Sequence, residues 1–186
     1  ALPLAFSANF DAGVAPELSL TSGWLEVAVD GGKALQSDLG ALPVMYVAAT
    51  FEEAAVEARF LINAGEGQVL LRGYSAGLNA DGTVTLYRDQ IAVVSSVSPV
   101  ALEAGSWATL RLQIMGSKIQ ISINGVPAID SGDDVLLPAE KAGFSASSGA
   151  VLRIDDFAVY GGGTPVTRSV ETREEEGSPV GLPSSL

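Results

Sequence analysis

The stretch WATLRLQIMGSKIQISINGVPAID (residues 107–130) alternates apolar and polar side chains twice, with a break between the two runs. Ala108, Leu110, Leu112 and Ile114 share one face of an extended chain. After Gly116-Ser117, Ile119, Ile121 and Ile123 return on a single face, opposite Lys118, Gln120, Ser122 and Asn124. Successive strand side chains point to opposite faces, so a period of two on both sides of a short Gly-containing break predicts a β-hairpin with one apolar face. A hairpin alone cannot bury that face, which therefore belongs to a sheet packed on another sheet.

The same pattern extends in both directions. VEARFLI (56–62) sets Val56, Ala58, Phe60 and Ile62 against Glu57, Arg59 and Leu61. QVLLRGYSAGL (68–78) and TVTLYRD (83–89), joined through NADG (79–82), read as a second hairpin whose Gly82 takes the left-handed turn position. Helical periodicity is weak throughout, and PAEKAG (138–143) has room for one helical turn at most. The predicted fold class is all-β, a sandwich of two antiparallel sheets.

One strand breaks the rule. In VLRIDDFAVY (151–160) Leu152 and Ile154 share a face, but the apolar set then changes parity to Phe157 and Val159. One extra residue at Asp155-Asp156 restores Phe157 and Val159 to the core side, which predicts a β-bulge there with carboxylate turned outward.

Composition limits the chemistry. The 186 residues include no cysteine and no histidine, so disulfides, thiolate metal sites and the commonest general base are absent. A net charge of −12 opposes nucleic acid and anionic lipid as partners. No apolar run reaches the roughly 18–20 residues of a membrane span. The sequence opens at Ala1 without a charged-then-apolar leader, as either a removed signal peptide or a boundary placed there would give. From residue 161 the chain turns to GGGTPVTRSVETREEEGSPVGLPSSL, too poor in bulky apolar residues to fold alone. The expected organisation is one domain over 1–160 and a linker or docking tail over 161–186, in which TPVTRSV (164–170) has the character of an added edge strand.

The residues of 107–130 resemble the Trp-started hairpin of concanavalin A-like and laminin G-like domains. FSANFDAG (6–13) and SGWLEV (22–27) resemble their opening strand and first Trp, and AGFSASSGAVLRIDDFAVY (142–160) their closing strand pair. The resemblance implies a jelly roll of two curved antiparallel sheets, a fold that hosts carbohydrate-binding, hydrolytic, adhesive and structural proteins. It also implies a place for structural calcium between first and last strands, with Asp11, Asp155 and Asp156 as ligands. A metal-free, hydrogen-bonded bulge is the alternative, and so few carboxylates favour it.

Hydrolytic members of this fold carry a strand reading E-x-D-x-x-E. FEEAAVEARF (51–60) departs from it: counting from Glu53, Ala55 stands at the Asp position and Glu57 falls one residue early. On a regular strand Glu53 and Glu57 stand about 13 Å apart, against the about 5–5.5 Å of a retaining pair, so the chain is expected not to be an enzyme.

Aromatic residues remain as binding candidates. Sugars stack their apolar faces on Trp or Tyr while polar neighbours take the hydroxyls. Tyr74 and Tyr87, beside Arg72 and Arg88, form the candidate platform, with core packing of the two tyrosines as the alternative, while Trp24 and Trp107 open strands and are expected to pack. The sequence thus predicts a non-catalytic, secreted or cell-surface binding module, carbohydrate-binding or adhesive. The alternative is a structural subunit contacting other extracellular proteins or its own copies through its faces and tail, with ALPVMYVAAT (41–50) as an apolar contact segment.

Overall fold

A computed structural model describes residues 1–37, 41–103 and 105–166. In chain order the first strands are β1 (Leu4–Ala8), β2 (Leu18–Ser19), β3 (Trp24–Val29), β4 (Gly32–Ser37), β5 (Val44–Tyr46) and β6 (Ala49–Thr50). The middle of the chain forms β7 (Ala54–Ala64), β8 (Glu66–Leu71), β9 (Tyr74–Asn79), β10 (Thr83–Arg88) and β11 (Ile91–Val97). The remainder forms β12 (Ala108–Met115), β13 (Lys118–Ile123), β14 (Val126–Gly132), β15 (Ala142–Ala146), β16 (Val151–Gly161) and β17 (Thr164–Pro165).

Two antiparallel sheets form the sandwich. The first runs β14-β13-β12-β7-β16-β4-β3, with β1 also paired to β16; the second runs β11-β10-β9-β8-β15-β5-β2. Their inward residues are those the alternation selects: Val56, Ala58 and Phe60 from β7, Leu110, Leu112 and Ile114 from β12, and Val69, Ala76, Val84 and Leu86 from the facing sheet, all buried. Phe144 on β15 is the aromatic centre, with Trp24 edge-on at 5.4 Å, Phe157 at 5.1 Å and Phe10 at 6.1 Å between ring centroids. Long-range ring contacts of this kind lock two sheets in one register. No helix occurs among the described residues, and PAEKAG instead leads through a Phe51–Glu140 bridge into β15.

The hairpin of 107–130 forms as expected, with Met115 opposite Lys118 across Gly116-Ser117. The bulge in β16 forms too. Asp155 pairs with Arg59 and Ala158 with Glu57, three steps on β16 against two on β7. Asp156 takes up the extra residue at φ 48°, and Leu152, Ile154, Phe157 and Val159 all end buried.

One expectation needs correction. Residues 68–78 are not one strand but two, β8 and β9, folded back on each other at Arg72-Gly73 with φ of 60° and 73°. An arginine in the left-handed region carries no turn signature of the Asn-Gly or Asp-Gly kind, so the sequence pattern hides the reversal. Across the loop 80–82 the register of β9 and β10 pairs Tyr74 with Arg88 and Ser75 with Tyr87, which places Tyr74 and Tyr87 on opposite faces of the second sheet. At the end of β16 the Gly161 N–H donates to the Pro3 carbonyl; beyond it Thr164–Pro165 pairs with Ala49–Thr50, and the Val166 N–H donates to the Ala48 carbonyl. The rest of the predicted tail, 167–186, lies outside the described residues.

Candidate functional site

The outward face of the second sheet carries small and polar side chains in register. One row crosses Tyr87, Ser75, Leu70 and Gly143; the next crosses Ser95, Thr85, Gly77, Gln68 and Ser145. Glycine and serine leave a depression between the larger Tyr87, Gln68 and Leu70. The result is a groove of about 510 Å³, walled by Leu42 and Pro43 on one side and Gln90 on the other. The wall is fixed from below: Trp24 Nε1 donates to the Leu42 carbonyl at 2.8 Å, and Thr21 Oγ1 to the same oxygen at 3.0 Å. Trp24 is therefore a packing residue that also sets the rim.

A carboxylate that sequence reasoning missed organises the groove. Glu66, at the start of β8, is 6% exposed. Its Oε1 accepts from Gln68 Nε2 at 2.5 Å, and its Oε1 and Oε2 accept the Tyr87 hydroxyl at 3.1 and 2.9 Å. Ser145 Oγ in turn donates to Gln68 Oε1 at 3.3 Å. Burial, and then the bond to Glu66, raise the Tyr87 phenol above its ordinary pKa. The one available sequence signal is the Gly65-Glu66-Gly67 triplet, a charge flanked by glycines at a strand start.

The four predicted binding residues do not stay together. Tyr87 lines the groove. Tyr74 is 2% exposed, with its hydroxyl donated to Asp133 Oδ2 at 2.5 Å, so its ring offers no stacking face. Arg88 Nε meets the same oxygen at 2.8 Å and Arg88 Nη2 the Val135 carbonyl at 3.1 Å. Arg72 donates to the Leu137 and Glu52 carbonyls, each at 2.7 Å. Tyr74, Arg72 and Arg88 together latch the segment 133–137 to the end of the sandwich. They face away from the groove because Tyr74 and Arg88 have the inward parity of β9 and β10, opposite to Ser75 and Tyr87.

The aspartates near the bulge are committed to protein donors. Asp11 Oδ1 accepts the Lys33 N–H at 2.9 Å and Oδ2 the Asn9 amide at 3.0 Å. Asp155 Oδ1 accepts the Asp156 N–H at 2.8 Å, and Asp156 Oδ2 meets Arg59 at 3.0 Å. Burial is the main influence that raises the Asp155 carboxyl, with repulsion from Asp156 and Asp11 adding to it. Among the described residues no group of three or more acidic side chains is arranged to hold a metal. In this arrangement Asp11, Asp155 and Asp156 are each engaged by a protein donor, as bulge caps and ion-pair partners.

The outward face of the first sheet carries a ladder of paired charges and aromatic rings, in which Arg59 Nε is left without a hydrogen-bond partner among the described residues. Glu57 accepts from Arg111 Nη1 at 2.7 Å and from the Tyr160 hydroxyl at 2.8 Å. Arg111 also stacks over Tyr160, and Arg59 over Trp107, each 4.9 Å from the ring centroid. Glu53 lies just before β7 and accepts the Gly116 N–H at 3.0 Å. Both carboxylates of the broken glycosidase pattern are thus tied to the fold.

No family profile and no curated protein matches the sequence. Solved structures do match the fold. The chain is similar to the carbohydrate-binding module CBM66 from Bacillus subtilis, at TM-score 0.57 and 16% identity, covering 76% of this chain and 97% of that one. It is similar to the exoplasmic/lumenal domain of VIP36 in its Ca2+/Man3GlcNAc-bound form, at TM-score 0.65 and 9% identity, covering 89% and 92%. Domain 4 of AbnA, an extracellular arabinanase of Geobacillus stearothermophilus in complex with arabinotriose, matches at TM-score 0.58 and 14% identity, covering 87% and 94%. The fold is a jelly roll of the concanavalin A-like, lectin type.

Proposed function

We propose that this chain is a non-catalytic carbohydrate-binding module, secreted or displayed at a cell surface, which holds a glycan in the groove of the second sheet. The observation that carries the reading is the groove itself. A half-buried Tyr87 and the apolar Leu70 stand beside Gln68, Ser75 and Ser145, the combination of apolar surface and few convergent polar groups that sugar rings require. Its volume falls within the roughly 300–1,000 Å³ of small-ligand sites. The similar structures that carry Man3GlcNAc or arabinotriose support the choice of ligand class.

The test is a glycan array and a polysaccharide retention assay with the wild-type chain, Tyr87→Ala and Gln68→Ala. The wild type is expected to retain at least one glycan, and each variant to lose tenfold or more in affinity while keeping its melting temperature within a few degrees. Absence of binding across the array, or full binding by Tyr87→Ala, sinks the reading.

A second reading, a structural subunit, is favoured by the edge strand β11, where Ile91 and Val97 are 71% and 77% exposed. Unpaired apolar edges invite pairing with another chain. A concentration-dependent dimer in sedimentation that Ile91→Lys abolishes would support it, and a monomer at all concentrations would exclude self-assembly through this edge.

A further inference from the structure

Glu66 is an almost fully buried carboxylate whose hydrogen-bond partners, Gln68 and Tyr87, are neutral. Among the described residues it takes part in no ion pair. Buried carboxylates are usually paired with a cation, so this one places an uncompensated negative charge under a binding groove. We infer that Glu66 sets the hydrogen-bond polarity of the groove, so that it accepts uncharged, hydroxyl-rich sugars and rejects uronic and other anionic sugars. The inference rests on the carbohydrate-binding reading and deepens it.

The proton bookkeeping leads there. An ionised carboxylate only accepts hydrogen bonds. The Tyr87 hydroxyl proton is therefore directed at Glu66, and so is one N–H of the Gln68 amide. With its nitrogen turned to Glu66, Gln68 directs its oxygen at Ser145, whose hydroxyl proton it accepts. Tyr87 Oη and Ser145 Oγ, both at the groove, keep lone pairs to offer a ligand and no proton. The donors left on the floor are the second N–H of Gln68 and the hydroxyl of Ser75, with the Gln90 amide and the Ser148 hydroxyl at the rim. Such a floor matches sugar hydroxyls, which donate as well as accept. A sugar carboxylate or sulfate brings acceptors only, and adds its charge to that of Glu66 where water is partly excluded. Glu66 thus acts as a positioning residue, working through Tyr87 and Gln68.

The experiment measures affinity for immobilised polysaccharides in neutral and acidic counterparts: galactan against polygalacturonate, and mannan against mannuronate-rich alginate. Salt of about 0.5 M shortens the Debye length to a few ångströms and removes the effect of the overall net charge. The wild-type chain is expected to prefer a neutral polysaccharide over its acidic counterpart at least tenfold. Glu66→Gln, which restores a donor at that position, is expected to bring the preference below threefold and to lower the pKa of Tyr87, read by 13Cζ tyrosine NMR. Tyr87→Phe leaves Glu66 in place, and is expected to weaken neutral binding while keeping acidic sugars excluded. An acidic polysaccharide bound as tightly as its neutral counterpart overturns the inference, as does a preference unchanged in Glu66→Gln, while in both cases the carbohydrate reading survives. Retention of none of the four, together with a blank glycan array, removes both.

Discussion

The Glu66 carboxylate rests on the bare Cα of Gly77: a Cβ built there would lie 2.4 Å from the Glu66 carboxyl carbon and 2.5 Å from Oε2. Only a residue without a side chain lets the carboxylate reach across β9 from β8 to Tyr87 on β10. The Gly77 backbone is not in the left-handed region, so alanine is conformationally acceptable, and the atoms it meets are the mobile end of a side chain. Gly77→Ala is therefore expected to fold with a stability change of about 1 kcal/mol or less. Its effect falls on the site: Glu66 is displaced, the Tyr87 hydroxyl loses its acceptor, and glycan affinity drops about tenfold. Unchanged glycan affinity with a displaced Tyr87 resonance would show that the carboxylate has no part in binding.

Tyr74 and Tyr87 are expected to differ in their effect on binding. Tyr74→Phe removes a hydroxyl that donates to Asp133 and receives the Leu137 N–H at 3.4 Å. The loss is about 1 kcal/mol, a few degrees of melting temperature for a domain of this size, with binding intact. Tyr87→Ala loses binding, and a few degrees of melting temperature as well, because the buried Glu66 carboxylate loses a donor. Calorimetric melting and glycan affinity on the same two proteins separate the latch from the site, and a matched loss of affinity in Tyr74→Phe would refute the division.

Alternation and the parity break at Asp155-Asp156 made most of the sandwich legible in the sequence, because burial of one face fixes which residues point inward and a bulge is the cheapest way to change phase. The site was less legible. Placing Tyr74 and Tyr87 on one platform required them to face each other across the β9–β10 hairpin, and the loop 80–82 shifts the register by one residue, so that Tyr74 meets Arg88 and Tyr87 meets Ser75. Glu66 was invisible for another reason. Its role depends on Gly77 one strand away and on Tyr87 two strands away, a relation set by sheet register rather than by any local pattern. Asp11, Asp155 and Asp156 were legible only as carboxylates on neighbouring strands, and the protein donors that each of them meets follow from the bulge geometry rather than from any local pattern.

Asp155 supplies a test of the metal-free bulge. Its carboxyl is raised, first by burial and then by Asp156 and Asp11, against the lowering effects of the Asp156 N–H and Arg59. A raised folded-state pKa means that its contribution is favourable below the unfolded value of 3.8 and is lost as pH rises through the folded value, so at neutral pH the charge is a burden. Asp155→Asn keeps an oxygen for the Asp156 N–H and removes the charge. It is expected to raise the melting temperature at pH 7 by a few degrees, and chelator is expected to leave both proteins unchanged. A lower melting temperature in Asp155→Asn, with a chelator-sensitive wild type, would restore calcium to the bulge.

The tyrosines predict the behaviour at the alkaline end. Burial is the first cause that raises Tyr74, Tyr87 and Tyr160, and each also donates its proton to a carboxylate, Asp133, Glu66 and Glu57 respectively. The folded-state pKa of each phenol lies above the unfolded value of 10.0, so the stabilisation is complete below that value and is lost as pH rises through the folded one. The melting temperature is therefore expected to hold between about pH 7 and 9 and to fall steeply above about pH 10. Replacing the three residues by phenylalanine costs stability at neutral pH, since Glu57, Glu66 and Asp133 each lose a donor, and flattens the alkaline fall because no phenolate has to form beside a carboxylate. Melting curves at half-unit pH steps decide the matter: an alkaline slope equally steep in the triple variant would show that the phenols do not cause the fall.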